Sequence, residues 1–158
     1  MKKNAWKIYA FWIILAEAVG GLSGWLSRDG MKLYNASITQ PPLSPPSFLF
    51  PIVWGILYAL MGVSAARIYI SPQFQERNRG LNKFIIQLIV NFFWSLIFFN
   101  AQAFGFAFLW LLLLWVLVLW MIFIFNMVDP LAAKLQIPYL LWLTFAAYLN
   151  FGVWYLNR

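Results

Sequence analysis

Five apolar runs fill most of this chain, at about residues 6–26, 48–70, 82–102, 105–127 and 136–156. Each is close to the roughly 20 residues that a helix needs to cross a bilayer core about 30 Å thick. The polar intervals between them are unequal. Residues 27–47 form a long first connection, and 71–81 a basic one, "SPQFQERNRGL". Residues 103 and 104 are a minimal turn before Gly105, and 128–135 are a short link containing Asp129-Pro130. The pattern predicts an all-α integral membrane protein, a five-transmembrane-helix bundle forming one membrane domain over residues 1–158. Short links make neighbours antiparallel, so the last three spans should run up, down and up.

The runs differ in the polar groups they carry. The fourth, "GFAFLWLLLLWVLVLWMIFIF", has no strongly polar side chain and is expected to be the helix most fully facing lipid. In the third, Gln87, Asn91 and Ser95 recur every four residues and draw one polar stripe, with Trp94 and Phe98 beside it. Polar groups in hydrocarbon are costly, so the stripe should face protein or an internal cavity. Trp142, Ala146 and Asn150 repeat that spacing in the fifth run, with Tyr139 about one turn earlier.

Charge sets the orientation. Only 9% of residues are charged and 64% are hydrophobic, with a net charge of +7. Lys2, Lys3, Lys7, Arg67, Arg77, Arg79, Lys83 and Lys134 would lie on one side, against Arg28, Lys32 and Arg158 on the other. The excess of Lys and Arg on cytoplasmic loops then puts the N-terminus in the cytoplasm, and the first connection and C-terminus outside. Basic residues so placed orient spans and meet anionic lipid, so no nucleic-acid partner is expected. The opening "MKKNAWK" is basic like a signal peptide, but the apolar part that follows exceeds a 7–15-residue signal core and includes Glu17. It is read as a retained first span. The lack of a transit-like leader points to a bacterial cytoplasmic membrane.

The chain has no cysteine and no histidine, which removes thiolates, imidazole bases and the commonest transition-metal ligands; no metal site is expected. Glu17, near the middle of the first span, is either a proton or ligand site or a neutral acid bonded to a neighbouring helix. Gly20 and Gly24 form a G-x-x-x-G pair that suits either a homodimer or packing within one bundle. Of ten tryptophans, Trp6, Trp12, Trp25, Trp110 and Trp154 fit an interfacial belt. Trp54, Trp94 and Trp142 instead share faces with Tyr58, Asn91 and Asn150, an inventory that suits a flat, largely apolar ligand or an ordinary packed core. The tail Val153–Arg158 fits a loose sterol-contact pattern and equally an interfacial anchor.

Three strings, "FPIVWGILYALMG" (50–62), "NFFW" (91–94) and "DPLAAKLQIPYLLWLTFAAYLNFGVW" (129–154), resemble the translocator protein family, also called tryptophan-rich sensory proteins or peripheral-type benzodiazepine receptors (TspO/MBR). The resemblance covers nearly the whole chain. It implies a five-helix bundle whose ligand cavity opens toward the first loop, which acts as a lid. It also implies binding of porphyrins, notably protoporphyrin IX, and of isoquinoline- or benzodiazepine-type drugs, with no cofactor required. Position by position it puts Trp54, Asn91, Phe106, Trp142, Ala146 and Leu149 in or near the cavity. Pro41, Pro42, Pro45 and Pro46 match the lid. Leu43 stands where the family often has tryptophan, so any ligand contact by that lid residue does not carry over.

Together these readings give a membrane receptor or sensor whose ligand-binding residues are Trp54, Tyr58, Gln87, Asn91, Trp94, Phe106, Trp142, Ala146, Leu149 and Asn150. Proline fixes φ and removes donors, so "ITQPPLSPPSFLFPIVW" would span the bundle mouth with little entropy to lose on closing, its underside formed by Leu43, Phe48, Leu49 and Phe50. The prolines would otherwise only delay the second helix. One alternative is a light-dependent porphyrin-degrading enzyme with Trp54 or Trp142 relaying a radical. A porphyrin or lipid transporter is the other, against which there is no inverted repeat or broken helix pair.

Overall fold

The computed structural model describes residues 4–158; Lys2 and Lys3, used in the charge count, lie outside that range. The elements are α1 (Ala5–Leu26), α2 (Arg28–Ser37), α3 (Leu49–Ile70), α4 (Phe74–Ser95) running into a π-helical turn (Leu96–Asn100), α5 (Phe104–Val128), α6 (Pro130–Leu135) and α7 (Ile137–Asn157). There is no strand among the described residues. Among the described residues, five helices are long and apolar enough to cross a membrane.

Proline and capping residues explain several boundaries. Pro130 and Pro138 open α6 and α7 where their missing N–H groups cost nothing, and the Asp129 side chain accepts the Leu131 N–H to cap α6. Three of the intervals read as loops are largely helical. Residues 28–37 form α2, α4 begins at Phe74 inside the basic segment, and 130–135 form α6. Helix α2 and the start of α4 are polar and α6 is only six residues long, so none shows the sustained apolar period that marks a span, and hydropathy alone passes over them.

The spans meet through packed faces and a few cross-links. Ser64 Oγ donates to Ala132 O at 2.7 Å, joining α3 to α6. Trp110 Nε1 donates to Val90 O at 2.7 Å and Trp115 Nε1 to Thr144 Oγ1 at 2.9 Å, tying α5 to both α4 and α7. This corrects the expectation for the fourth span. One face of α5, from Ala107 through Leu111, Leu114, Val118 and Met121 to Phe125, is buried, and the outermost helix is α1. The apolar window of α1 is 17% buried against 33% for α5. Lipid is as apolar as a leucine-lined interface, so an all-apolar sequence does not say which side meets protein.

The ends of the spans also sort by charge. Tyr9, Arg67, Ser71, Val128 and Asp129 line one shallow depression, so the start of α1 and the ends of α3 and α5 come together. Arg67 Nε bonds Asp129 Oδ2 there at 2.7 Å. At the opposite end Gly152 meets Pro41 and Asn157 bonds Thr39, where α7 closes beneath the first connection.

Candidate functional site

Between the spans, under α2 and the chain that follows it, lies a cavity of about 430 Å³. That is within the roughly 300–1,000 Å³ usual for small-molecule sites. One wall is aromatic. Trp54 stacks on Tyr58, with ring centroids 5.5 Å apart and planes at 29°, and meets Trp142 edge-on at 6.5 Å. Phe50 abuts Trp142 at 6.0 Å.

A second wall comes from the end of α4. Trp94 stacks on Phe98 at 5.0 Å, and Trp94 Nε1 donates to Asn150 Oδ1 at 3.1 Å. Asn150 Nδ2 in turn donates to Phe104 O at 2.8 Å, so α4, α5 and α7 are fixed to one another beside the cavity. The extra residue per turn in the π segment brings both Phe98 and Phe99 to the cavity wall. Their rings also hold Tyr34 of α2, at 5.4 and 5.3 Å. Burial pushes the Tyr34 phenol up to about 12, so it is un-ionised at neutral pH. Helix α2 comes this close because Gly30 lacks a side chain: a Cβ there would lie 2.6 Å from Phe99 O.

Below the cavity the polar stripe is paired internally. Tyr58 OH donates to Asn91 Oδ1 (2.8 Å), Asn91 Nδ2 to Tyr139 OH (2.6 Å), and Tyr139 OH to Gln87 Oε1 (2.7 Å). Gln87 and Tyr139 are fully buried, and this chain of bonds is how polar groups are kept at bilayer depth.

Of the residues singled out from sequence, Trp54, Tyr58, Asn91, Trp94, Trp142, Ala146, Leu149 and Asn150 line the cavity. Two do not. Gln87 lies deeper, its amide used by Tyr139 and Met61, and Phe106 points outward beside Trp110 at 56% exposure. Gln87 is one turn too far along α4, and Phe106 is on the face of α5 opposite its buried stripe.

The proline segment is anchored on α7. Thr39 and Asn157 exchange two bonds, Thr39 N–H to Asn157 Oδ1 at 3.0 Å and Asn157 Nδ2 to Thr39 O at 2.8 Å. Tyr148 OH donates to Pro42 O at 2.7 Å. Pro41, Pro42, Leu43, Pro45 and Pro46 themselves do not line the cavity, which is reached from this connection by Ser47 and Phe50 and by Met31, Tyr34 and Asn35 of α2. The apolar underside assigned to Leu43 and Phe48 is not there. Leu43 is 81% exposed, directed away from the bundle by the turn at 42–43 with its left-handed φ of 69°, and Phe48, in a second turn at the start of α3, is also exposed.

Helix α1 supplies what the tryptophan-centred reading missed. Glu17, Gly20, Gly21 and Gly24 fall at helical spacing on one face, and that face forms a wall of the cavity. Gly20 accommodates the Tyr58 ring, while Gly21 and Gly24 have nothing within 4 Å of where a Cβ would stand. Within the G-x-x-x-G pair, Gly20 thus serves packing inside the bundle, whereas Gly24, with Gly21, leaves space open. Among the described residues no hydrogen bond or ion pair reaches the Glu17 carboxyl; the two described ion pairs are Arg67–Asp129 and Arg79–Glu76.

A family model described as the TspO/MBR family matches residues 12–156, which include every lining residue. The chain belongs to the TspO/MBR family. Its relatives span kingdoms. It is 35% identical to protein CrtK of Rhodobacter capsulatus, over 90% of this chain and 89% of the relative. Identity is 35% to the tryptophan-rich protein TspO of Chlorobaculum tepidum (94% of each chain) and 34% to the translocator protein of Ovis aries (91% and 87%). As a TspO/MBR protein with five apolar spanning helices, it is a multi-pass membrane protein.

Proposed function

We propose that this TspO/MBR protein is a membrane receptor or sensor that takes a flat, largely apolar ligand into the cavity beneath α2. The observation that carries this is the aromatic corner of Trp54, Tyr58 and Trp142, edged by the amide of Asn91. Stacked and edge-on rings with few polar groups favour a planar conjugated molecule. Protoporphyrin IX is the ligand we put first, with isoquinoline- and benzodiazepine-type molecules next. The macrocycle would stack on Trp54 and Trp142, and Asn91 and Tyr58 would hydrogen-bond its edge. No cofactor is required. The site of action is the bacterial cytoplasmic membrane; the N-terminus is inside, in keeping with Lys7 near the start of α1, Arg67 near the end of α3, Arg77, Arg79 and Lys83 early in α4, and Lys134 in α6.

The same corner favours a second reading, light-dependent porphyrin breakdown. The ring of Trp54 is 6.5 Å from that of Trp142 and 6.2 Å from that of Tyr139, so a Trp54 that gives an electron to the photo-excited porphyrin has close neighbours to pass its electron hole to. Purified protein is titrated with protoporphyrin IX in the dark, following tryptophan quenching, and then illuminated. Saturable quenching with stable porphyrin absorbance supports the receptor. A new spectrum that disappears with Trp54→Phe or Trp142→Phe at unchanged affinity makes it an enzyme, and absence of saturable quenching rejects the porphyrin assignment.

A further inference from the structure

Among the described residues that line the cavity, Glu17 is the one with a charged side chain. Everything around it that is polar is neutral: Ser23, Asn35, Ser95, Asn91, Tyr58 and Asn150. Among the described residues no lysine or arginine lines the cavity to neutralise it, and none forms an ion pair with it. Gly20, one turn along the same face of α1, packs on the Tyr58 ring, which places that face beside the Trp54–Tyr58 stack. A carboxylate at mid-span would be costly facing lipid, and the glycine face at Gly20, Gly21 and Gly24 instead gives it an internal space to address.

An uncompensated carboxylate set among aromatic faces is the combination that recognises organic cations. The rings attract positive charge through their quadrupoles, the carboxylate supplies the counter-charge, and both act more strongly away from bulk water. Anions meet the opposite situation. We infer that the cavity selects ligands carrying a positively charged nitrogen on a flat aromatic frame, with Glu17 as the specificity-determining residue. This rests on the reading of the cavity as a ligand site and adds the charge of the ligand to it. A dicarboxylate porphyrin would then bind with its acid groups turned away from α1.

The test uses three frames of one shape: N-methylquinolinium, its neutral isostere 1-methylnaphthalene, and the anion 1-naphthoate. Each is titrated into full-length protein in nanodiscs, reading tryptophan fluorescence, with Glu17→Gln as the paired variant. The wild type should bind the cation about tenfold more tightly than the neutral isostere, and the anion least tightly. In Glu17→Gln that ranking should collapse, with affinity for 1-methylnaphthalene unchanged and for 1-naphthoate increased. Equal affinity of the wild type for cation and isostere overturns the inference without reliance on any variant. A preference that survives in Glu17→Gln overturns the assignment to this residue. Protoporphyrin IX is titrated into the same samples: its binding with no cation preference sinks only the charge selectivity, whereas failure of every flat probe sinks the ligand-site reading itself.

Discussion

Pro41 is buried against Gly152, so closely that a Cβ on the glycine would meet the proline Cβ at 2.6 Å. The contact explains why a proline-rich segment follows α2. Proline offers a rigid, donor-free surface that seats on a bare helix backbone, and the paired bonds of Thr39 with Asn157 hold it in register. The connection is thus fastened to α7 on one side and to the π turn on the other, where Asn100 Nδ2 donates to Leu26 O at 2.9 Å.

Gly152→Ala should therefore loosen the connection selectively. The added methyl forces Pro41 off the helix and weakens the Thr39–Asn157 pair at an expected cost of about 1 kcal/mol, felt locally. Protease cleavage within residues 38–47 should quicken several-fold while the unfolding temperature of the bundle moves by only a few degrees. Unchanged cleavage would mean that the contact does not hold the segment.

Leu43 pays for the turn with its backbone. A left-handed φ of 69° is unfavourable for leucine by about 1 kcal/mol, and the side chain, being exposed, recovers nothing by packing. Asparagine tolerates that conformation, so Leu43→Asn should raise stability by a few tenths to about 1 kcal/mol and slow cleavage of the same segment. A loss of stability would show that Leu43 makes a contact worth more than its strain.

Tyr139→Phe removes one oxygen and orphans two buried groups, the Asn91 amide and the Gln87 carbonyl. Bonds between membrane helices average only about 0.6 kcal/mol, but buried orphans cost more, so a loss of about 1–3 kcal/mol is expected in thermal unfolding. Adding Gln87→Met, which removes one orphan, should recover part of that loss. Additive losses would show that the two groups do not depend on each other.

What could be read from sequence depended on periodicity. The stripe at Gln87, Asn91 and Ser95, and the repeat at Trp142, Ala146 and Asn150, mark inward faces because polar groups cannot face lipid, and the cavity is built where they converge. The face of α1 was legible only in part. Glu17 stood out as an acid at mid-span, but a missing side chain looks the same in sequence whether it admits a neighbouring helix, as Gly20 does, or leaves open space, as Gly21 and Gly24 do. Helix α2 and the π turn were not legible at all. The first is too polar and short to show a membrane period, and the second is one extra residue in an otherwise regular helix.

Asp129 does two jobs, and substitution can separate them. Its Oδ1 accepts the Leu131 N–H at 3.1 Å to cap α6, while its Oδ2 pairs with Arg67 at 2.7 Å. The pair is partly exposed, 34% and 20% on the two side chains, so the charge should be worth no more than about 1 kcal/mol. Asparagine keeps the capping oxygen, so Asp129→Asn should cost about 0.5–1 kcal/mol, and Asp129→Ala, which also loses the cap, about 1–3 kcal/mol. Ionic strength distinguishes the two contributions. Added salt should shrink the gap between wild type and Asp129→Asn, because a partly exposed ion pair is screened, and leave the gap between the two variants unchanged, because a cap to a backbone N–H does not depend on Arg67. If the gap between wild type and Asp129→Asn does not shrink with salt, the ion pair contributes little, and if the two variants are equally stable, the side-chain cap contributes little.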